Sequence, residues 1–180
     1  GIGRGLEYLL VDPEFLFRFE REPASTPNTV YKLSDLALAS RLSFFLWSQG
    51  PDDELLRLAA AGELRDPDVL ATQVERLLAD PRARALVTGF ALRWLNVDEL
   101  EAVDPDERLF PEFSNELRHD FATEIELFLA SVLLENRNVR ELLTADHTFV
   151  NERLAAHYGI GAVRGPQFRR VTVENDARRG

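Results

Sequence analysis

The sequence predicts an all-α chain, an irregular, orthogonal or bundle-like packing of about seven helices with a poorly structured or short-strand C-terminal tail. Three observations predict it. Apolar residues recur at helical spacing almost throughout. Helix start signals, either Ser-Asp or Asp-Pro, stand ahead of successive apolar stripes. Only Phe168 to Val173 carries the β-branched alternation of a strand.

The first stripe is Leu38, Leu42, Phe45 and Leu46, with Ser34 and Asp35 as N-cap and first-turn acid, and it predicts a helix from about 35 to 48 closed by Gly50-Pro51. Asp52-Asp53-Glu54 then opens a short helix carrying Leu55, Leu58 and Ala59. Asp66-Pro67 and Asp80-Pro81 each place a capping Asp before a Pro, whose missing N–H costs nothing in a first turn. The first of these helices presents Leu70, Val74, Leu77 and Leu78, the second Leu86, Phe90 and Trp94, and both stripes are expected to face inward. Trp47 and Trp94 are read as core residues, since large rings bury much apolar area. A third pair, Asp104-Pro105, has Glu107 in capping-box position, although the run to Leu109 is short.

The longest helix is expected from Ser114 to about Glu135, with Leu117, Phe121, Ile125, Phe128 and Val132 along its core side. Asn138 and Glu141 fit a capping box for a short turn through Leu143. Thr148 is the expected N-cap of the last helix, on which Val150, Leu154 and His157 share a face. Gly159 is its C-cap, and Ile160 folds back on Leu154. No internal repeat is present, and Pro23 to Pro27 reads as a linker.

At 180 residues, with 45% hydrophobic and 29% charged residues, the composition is that of a globular chain. The net charge of −10 argues against nucleic acid, whose binding draws on Lys and Arg. No apolar run approaches the roughly 18 residues of a spanning helix, the most apolar stretches being broken by Arg41 and Glu126, so membrane insertion is not expected. The chain has no cysteine, which rules out disulfides, thiolate chemistry and covalent haem attachment within it. A first residue that is Gly, the lack of Met and an end at Arg178-Arg179-Gly180 suggest an internal piece of a longer protein. Nothing in the sequence sets an oligomeric state.

Candidate chemistry is thin. His157 with Asp146 or Asn151 is a weak catalytic grouping, because a last-turn His is also explained by packing or by the helix dipole. His147 reads as a surface loop residue. Glu116 and His119 form an E-x-x-H pair of the kind that ligates metal in helical bundles, yet such sites need a second pair, and the helical wheel turns both toward water. Asp120 and Glu124 lie at the edge of the apolar stripe and are expected to pair with Arg93 or Arg118. GIGRG at residues 1–5 lacks the strand and the spacing of a dinucleotide loop, and no G-x-S-x-G, H-E-x-x-H or EF-hand pattern occurs.

Three blocks, YKLSDLALASRLSFFLWSQGPDDELLRLAAAGEL (31–64), LLADPRARALVTGFALRWL (77–95) and LLTADHTFVNERLAAHYGI (142–160), resemble in order and spacing the domain of unknown function 1592. LVDPEFLFRFE resembles the end of domain 1595, and PQFRRVTV the approach to domain 1588. The resemblance divides the chain into the end of a preceding helical domain (1–22), a linker (23–30), the helical domain itself (31–160) and the start of a following domain (161–180), loosely attached. It implies an exported, periplasmic bacterial multidomain protein, often with a c-type cytochrome domain elsewhere. The chain departs from the family pattern at His147, where Tyr is expected. The reading that follows is a non-catalytic helical structural or interaction module that binds neighbouring domains of its own chain and holds no cofactor. The alternative is a part of a periplasmic redox enzyme whose haem sits in a separate cytochrome domain.

Overall fold

Ser34 opens the first core helix as its side chain accepts a hydrogen bond from the Ala37 N–H. The computed structural model describes residues 2–17, 30–106 and 108–173, and within these the fold is mostly helical. The Pro23 to Pro27 linker, Glu107 and residues 174–180 of the expected tail lie outside the described residues.

Two N-terminal helices, α1 (Ile2–Val11) and α2 (Pro13–Leu16), precede the core, and no residue of α1 is buried. Helix α3 (Asp35–Trp47) ends on Ser48 in a left-handed conformation rather than at Gly50. Helix α4 (Asp53–Ala61) is capped by Asp52, and α5 (Pro67–Ala79) by Asp66 with Pro67 in its first turn. Gly62 takes the positive φ of 73° that closes α4, while the Glu63 N–H reaches back to the Leu58 carbonyl. Together α3, α4 and α5 bury Leu46, Trp47, Leu55, Leu58, Leu64 and Leu77 in one cluster.

Two side chains fix this first cluster. The indole N–H of Trp47 donates to the Leu77 carbonyl at 2.9 Å, and the Arg82 guanidinium sits 3.5 Å above its ring. Asp35 is the first-turn acid read from sequence and is also buried, where it accepts from the Leu64 N–H and pairs with Arg65.

Asp80 caps the next segment as expected, but a regular helix does not follow. A 3-10 turn (Pro81–Ala83) leads into a π-helix (Leu86–Ala91) that returns to α-form in α6 (Leu92–Trp94). The wider π turn changes which side chains face inward. Leu86, Val87 and Ala91 are buried, whereas Phe90 and Trp94 are turned out, Trp94 being 64% exposed. The expected inward stripe of Leu86, Phe90 and Trp94 therefore fails after its first member. Phe45 is likewise exposed and meets Phe90 edge-on at 5.5 Å, and Phe90 stacks on Trp94 at 6.1 Å.

A 3-10 stretch (Val97–Ala102) and a turn held by Asp106 connect to α7 (Asn115–Leu133), capped by Ser114. Its C-terminal half packs Leu129 with Val87 and Ala91, and its N-terminal half packs Leu117 with Val150, Leu154 and Val163. After α8 (Glu141–Thr144) comes the main departure from expectation. Residues His147–Val150 form strand β1, paired antiparallel with β2 (Arg169–Thr172) in the register His147 to Thr172 and Val150 to Arg169. Thr148 is thus a strand residue, and Asn151 caps α9 (Glu152–Tyr158) by accepting from the Leu154 N–H at 2.9 Å.

Gly159 and Ile160 close α9 as expected, the Ile160 N–H bonding the Ala155 carbonyl at 2.8 Å. The expected loose attachment of the tail does not hold for residues up to 173. Val163 and Val173 are buried, Phe168 and Val171 pack on the second cluster, and the Val173 N–H donates to the Asp146 carbonyl. Among the described residues, no helix is long and apolar enough to cross a membrane.

Candidate functional site

Helix α7 places Phe121, Glu124, Ile125 and Phe128 at i, i+3, i+4 and i+7, hence on one side. The two ends of that stripe, Leu117 and Val132, are sealed in the core, but its middle is not. It forms one wall of a cleft of about 490 Å³, faced by His147 and Thr148 of β1, Tyr158 and Ile160 at the end of α9, and Val173. Leu100 of the 3-10 stretch completes it.

Polar groups are few here and are held in place. Glu124 accepts from the Thr148 hydroxyl and from the Tyr158 hydroxyl at 2.6 Å, so two further elements fix the carboxylate that α7 supplies. One turn earlier, Asp120 is 3% exposed and accepts from Asn151 Nδ2 at 2.8 Å and Arg153 Nε at 2.6 Å. The edge position of both acids follows from the helical pattern, but their expected partners do not. Arg93 lies 3.8 Å from Asp98. Arg118 binds Asn115 and the Val103 carbonyl and lies over the Phe113 ring, leaving its Nε buried without a hydrogen-bond partner among the described residues.

His147 is 7% exposed, not a surface residue. Burial, the largest effect, pushes its imidazole pKa down, and the nearby Arg137 and Arg170 charges act the same way against Asp146 and Glu141. Its Nε2 is 3.3 Å from Ser131 Oγ and its Nδ1 is 3.8 Å from Asp146 Oδ1, an order of groups that resembles a catalytic triad. The hydrogen-bond directions contradict that role. The single hydroxyl hydrogen of Ser131 goes to the Phe128 carbonyl at 2.8 Å, so Oγ accepts from an Nε2–H. That imidazole tautomer cannot take a proton from the serine, and Ser131 itself is 2% exposed, beyond reach of a substrate.

The comparison with protein families resolves what this scaffold is. A family model described as a protein of unknown function (DUF1592) matches residues 33–160. The chain belongs to this family. No curated protein and no solved structure matches it. The cleft reaches past the matched DUF1592 segment, since Val173 lies beyond residue 160.

Within the DUF1592 domain the three residues singled out for catalysis have separate surroundings. Asp146 faces His147, Asn151 caps α9 and holds Asp120, and His157 stands 4.0 Å from Glu112 with its ring edge-on to Phe121 at 5.3 Å. His157 lines a second hollow of about 700 Å³, bounded by Val103, Leu109, Phe110 and Phe113 and sharing Phe121 with the cleft. Glu116 and His119 are both exposed on α7. The Glu116 carboxylate is held below its ordinary pKa by the backbone N–H of its own residue and by the Ser114 hydroxyl, as a first-turn acid should be. Among the described residues, no group of three His, Asp or Glu side chains is placed to hold a metal.

Sequence reasoning missed Glu124, Thr148 and Tyr158 as a unit and His147 as a buried group. The i, i+3 and i+4 relation of Phe121, Glu124 and Ile125 was a signal that an acid interrupts the apolar side of α7. Nothing local revealed that β1 and α9 would each bring a hydroxyl to meet it.

Proposed function

We propose that this chain is a non-catalytic helical structural and interaction module of a larger exported bacterial multidomain protein, with neighbouring domains of that protein as its partners. The observation that carries the reading is the outward cluster of Phe45, Phe90 and Trp94, which are 53%, 45% and 64% exposed and touch one another in series. Contiguous exposed rings of this kind are characteristic of interaction surfaces, and the π-helix that turns Phe90 and Trp94 outward also keeps Leu86, Val87 and Ala91 in the core. The multidomain setting and the export are what the sequence resemblance of the domain and its flanking segments implies. Nearly every polar group in the cleft already has a protein partner, which suits a supporting role.

The test is acrylamide quenching of Trp94 emission in a Trp47→Phe background. Quenching at a rate typical of an exposed indole in the 180-residue chain, and much weaker quenching when the neighbouring domains are fused to it, is the expected result. Equal quenching in both contexts contradicts the proposal.

A second reading is favoured by one observation, the position of His157 at the rim of a hollow within 4.0 Å of Glu112. There the domain completes a periplasmic redox enzyme with His157 exchanging a proton at its shared site. The chain has no cysteine for thioether attachment, so any haem belongs to another domain. A His157→Ala substitution in a haem-containing parent protein distinguishes the two. Loss of dye reduction with the haem spectrum unchanged supports the enzyme, and an unaltered rate rejects it.

A further inference from the structure

Strands β1 and β2 make a sheet of two, and a strand at the edge of a sheet presents unpaired backbone groups unless something covers them. The bond from the Val173 N–H to the Asp146 carbonyl fixes which groups these are. Val173 and Asp146 continue the register one place beyond Thr172 and His147, so they are a hydrogen-bonded pair. Bonded and non-bonded pairs alternate along an antiparallel ladder, which makes Val171 with Thr148 the next bonded pair and Arg169 with Val150 the one after. Arg170 and Thr172 therefore point N–H and C=O away from β1. Among the described residues these outward groups meet no hydrogen-bond partner, and both residues are exposed. The opposite edge belongs to β1, whose His147 and Val150 are buried, so β2 carries the accessible one.

Long charged side chains ordinarily screen such an edge, but here they are drawn elsewhere. Arg170 turns back across its cross-strand neighbour, its guanidinium 5.1 Å from the centre of the Phe149 ring, and bonds Glu135 at 2.8 Å. Val171 packs inward on the second cluster. Arg169 bonds the Arg164 carbonyl, while the nearby Glu152 is taken by Arg164 and the Gly165 N–H. The edge is thus a bare row of backbone groups beside a guanidinium that has no carboxylate partner among the described residues. An added strand satisfies the first, and an acid on that strand satisfies the second. We propose that the outer edge of β2 accepts an extended acidic segment of a neighbouring domain as a third strand, its backbone bonded to Arg170 and Thr172 and a carboxylate to Arg169. This rests on the interaction role given above and adds to it a contact separate from Phe45, Phe90 and Trp94.

The test is an NMR titration of the intact 180-residue chain with a capped hexapeptide that alternates valine and glutamate, against one that alternates valine and lysine. Without peptide, the Arg170 and Thr172 amides should exchange freely with solvent while Val173 is protected. The acidic peptide is expected to slow exchange at both amides and to bind at least about threefold more tightly than the basic one, an exposed ion pair replacing an exposed repulsion. Thr172→Pro removes the outward N–H and no ladder bond, so it should abolish this binding with Val173 still protected. Arg169→Glu leaves the backbone groups in place and should remove or reverse the preference for acid. Arg170 and Thr172 amides already protected without peptide, no response of either to the acidic peptide, or equal binding of the two peptides overturns the proposal, as does binding retained by a folded Thr172→Pro chain. Any of these results together with Trp94 screened by the neighbouring domains rejects the edge and keeps the interaction role.

Discussion

A carboxylate as enclosed as Asp120, 3% exposed, requires donors within bonding distance, and it finds them in Asn151 and Arg153, both from the segment that begins α9. Removing it leaves Asn151 Nδ2 buried with no acceptor, whereas Arg153, about half exposed, can turn to water. Asp120→Ala should therefore destabilise the chain by about 2–3 kcal/mol in urea unfolding, the cost of an orphaned buried donor plus a partly screened ion pair. His147 makes a pH-dependent contribution. Unfolded, its imidazole titrates near the ordinary 6.5, and folded it titrates lower, because burial and two arginines oppose its charge. The unfolded chain thus takes up a proton first, so the stabilisation is present above about pH 6.5 and is lost as pH falls through the depressed folded value. Unfolding free energies measured at pH about 7.5 and about 5.5 should show this loss, and His147→Gln should remove that part of the slope. Neither residue was legible at this level. Spacing placed Asp120 beside the apolar stripe, but its partners come from 31 and 33 residues away.

Helix starts were the most legible elements, because their chemistry is local. Ser34, Asp52, Asp66, Asp80 and Ser114 each accept from a backbone N–H two or three residues on. Ser114→Ala should cost about 1 kcal/mol in thermal or urea unfolding, since it leaves the Leu117 N–H without its acceptor. Thr148 shows where the same logic goes astray. Thr148 and Asn151 both have cap-forming side chains ahead of the Leu154 stripe, and pairing of His147–Val150 with Arg169–Thr172 selects the second. That pairing is non-local, so no window around Thr148 contains it. The π-helix at Leu86–Ala91 was hidden for a related reason. Its register is set by what packs around it, with Val87 and Ala91 against Leu129, and a regular 3.6-residue reading of the same sequence turns Phe90 and Trp94 inward instead.

At the scale of the molecule, α7 joins what sequence could only lay side by side. Its first half belongs to the cluster of Val150, Leu154 and Val163, its second half to that of Val87 and Ala91, and Leu134 beyond its end touches both this cluster and the one built by α3, α4 and α5. The mostly helical class was visible in the periodicity. The cleft was not, because its walls come from five separate stretches that end with Val173. Residues 169–173 are an integral part of this body, with Val171 packed on the second cluster and Val173 lining the cleft. Amide hydrogen exchange measured by NMR checks this at Val173, whose N–H donates to the Asp146 carbonyl, with the buried Leu129 in the C-terminal half of α7 as reference. Val173 is expected to be protected and to open together with Leu129 as urea is raised. Exchange of Val173 at the rate of an unstructured peptide while Leu129 stays protected would contradict it.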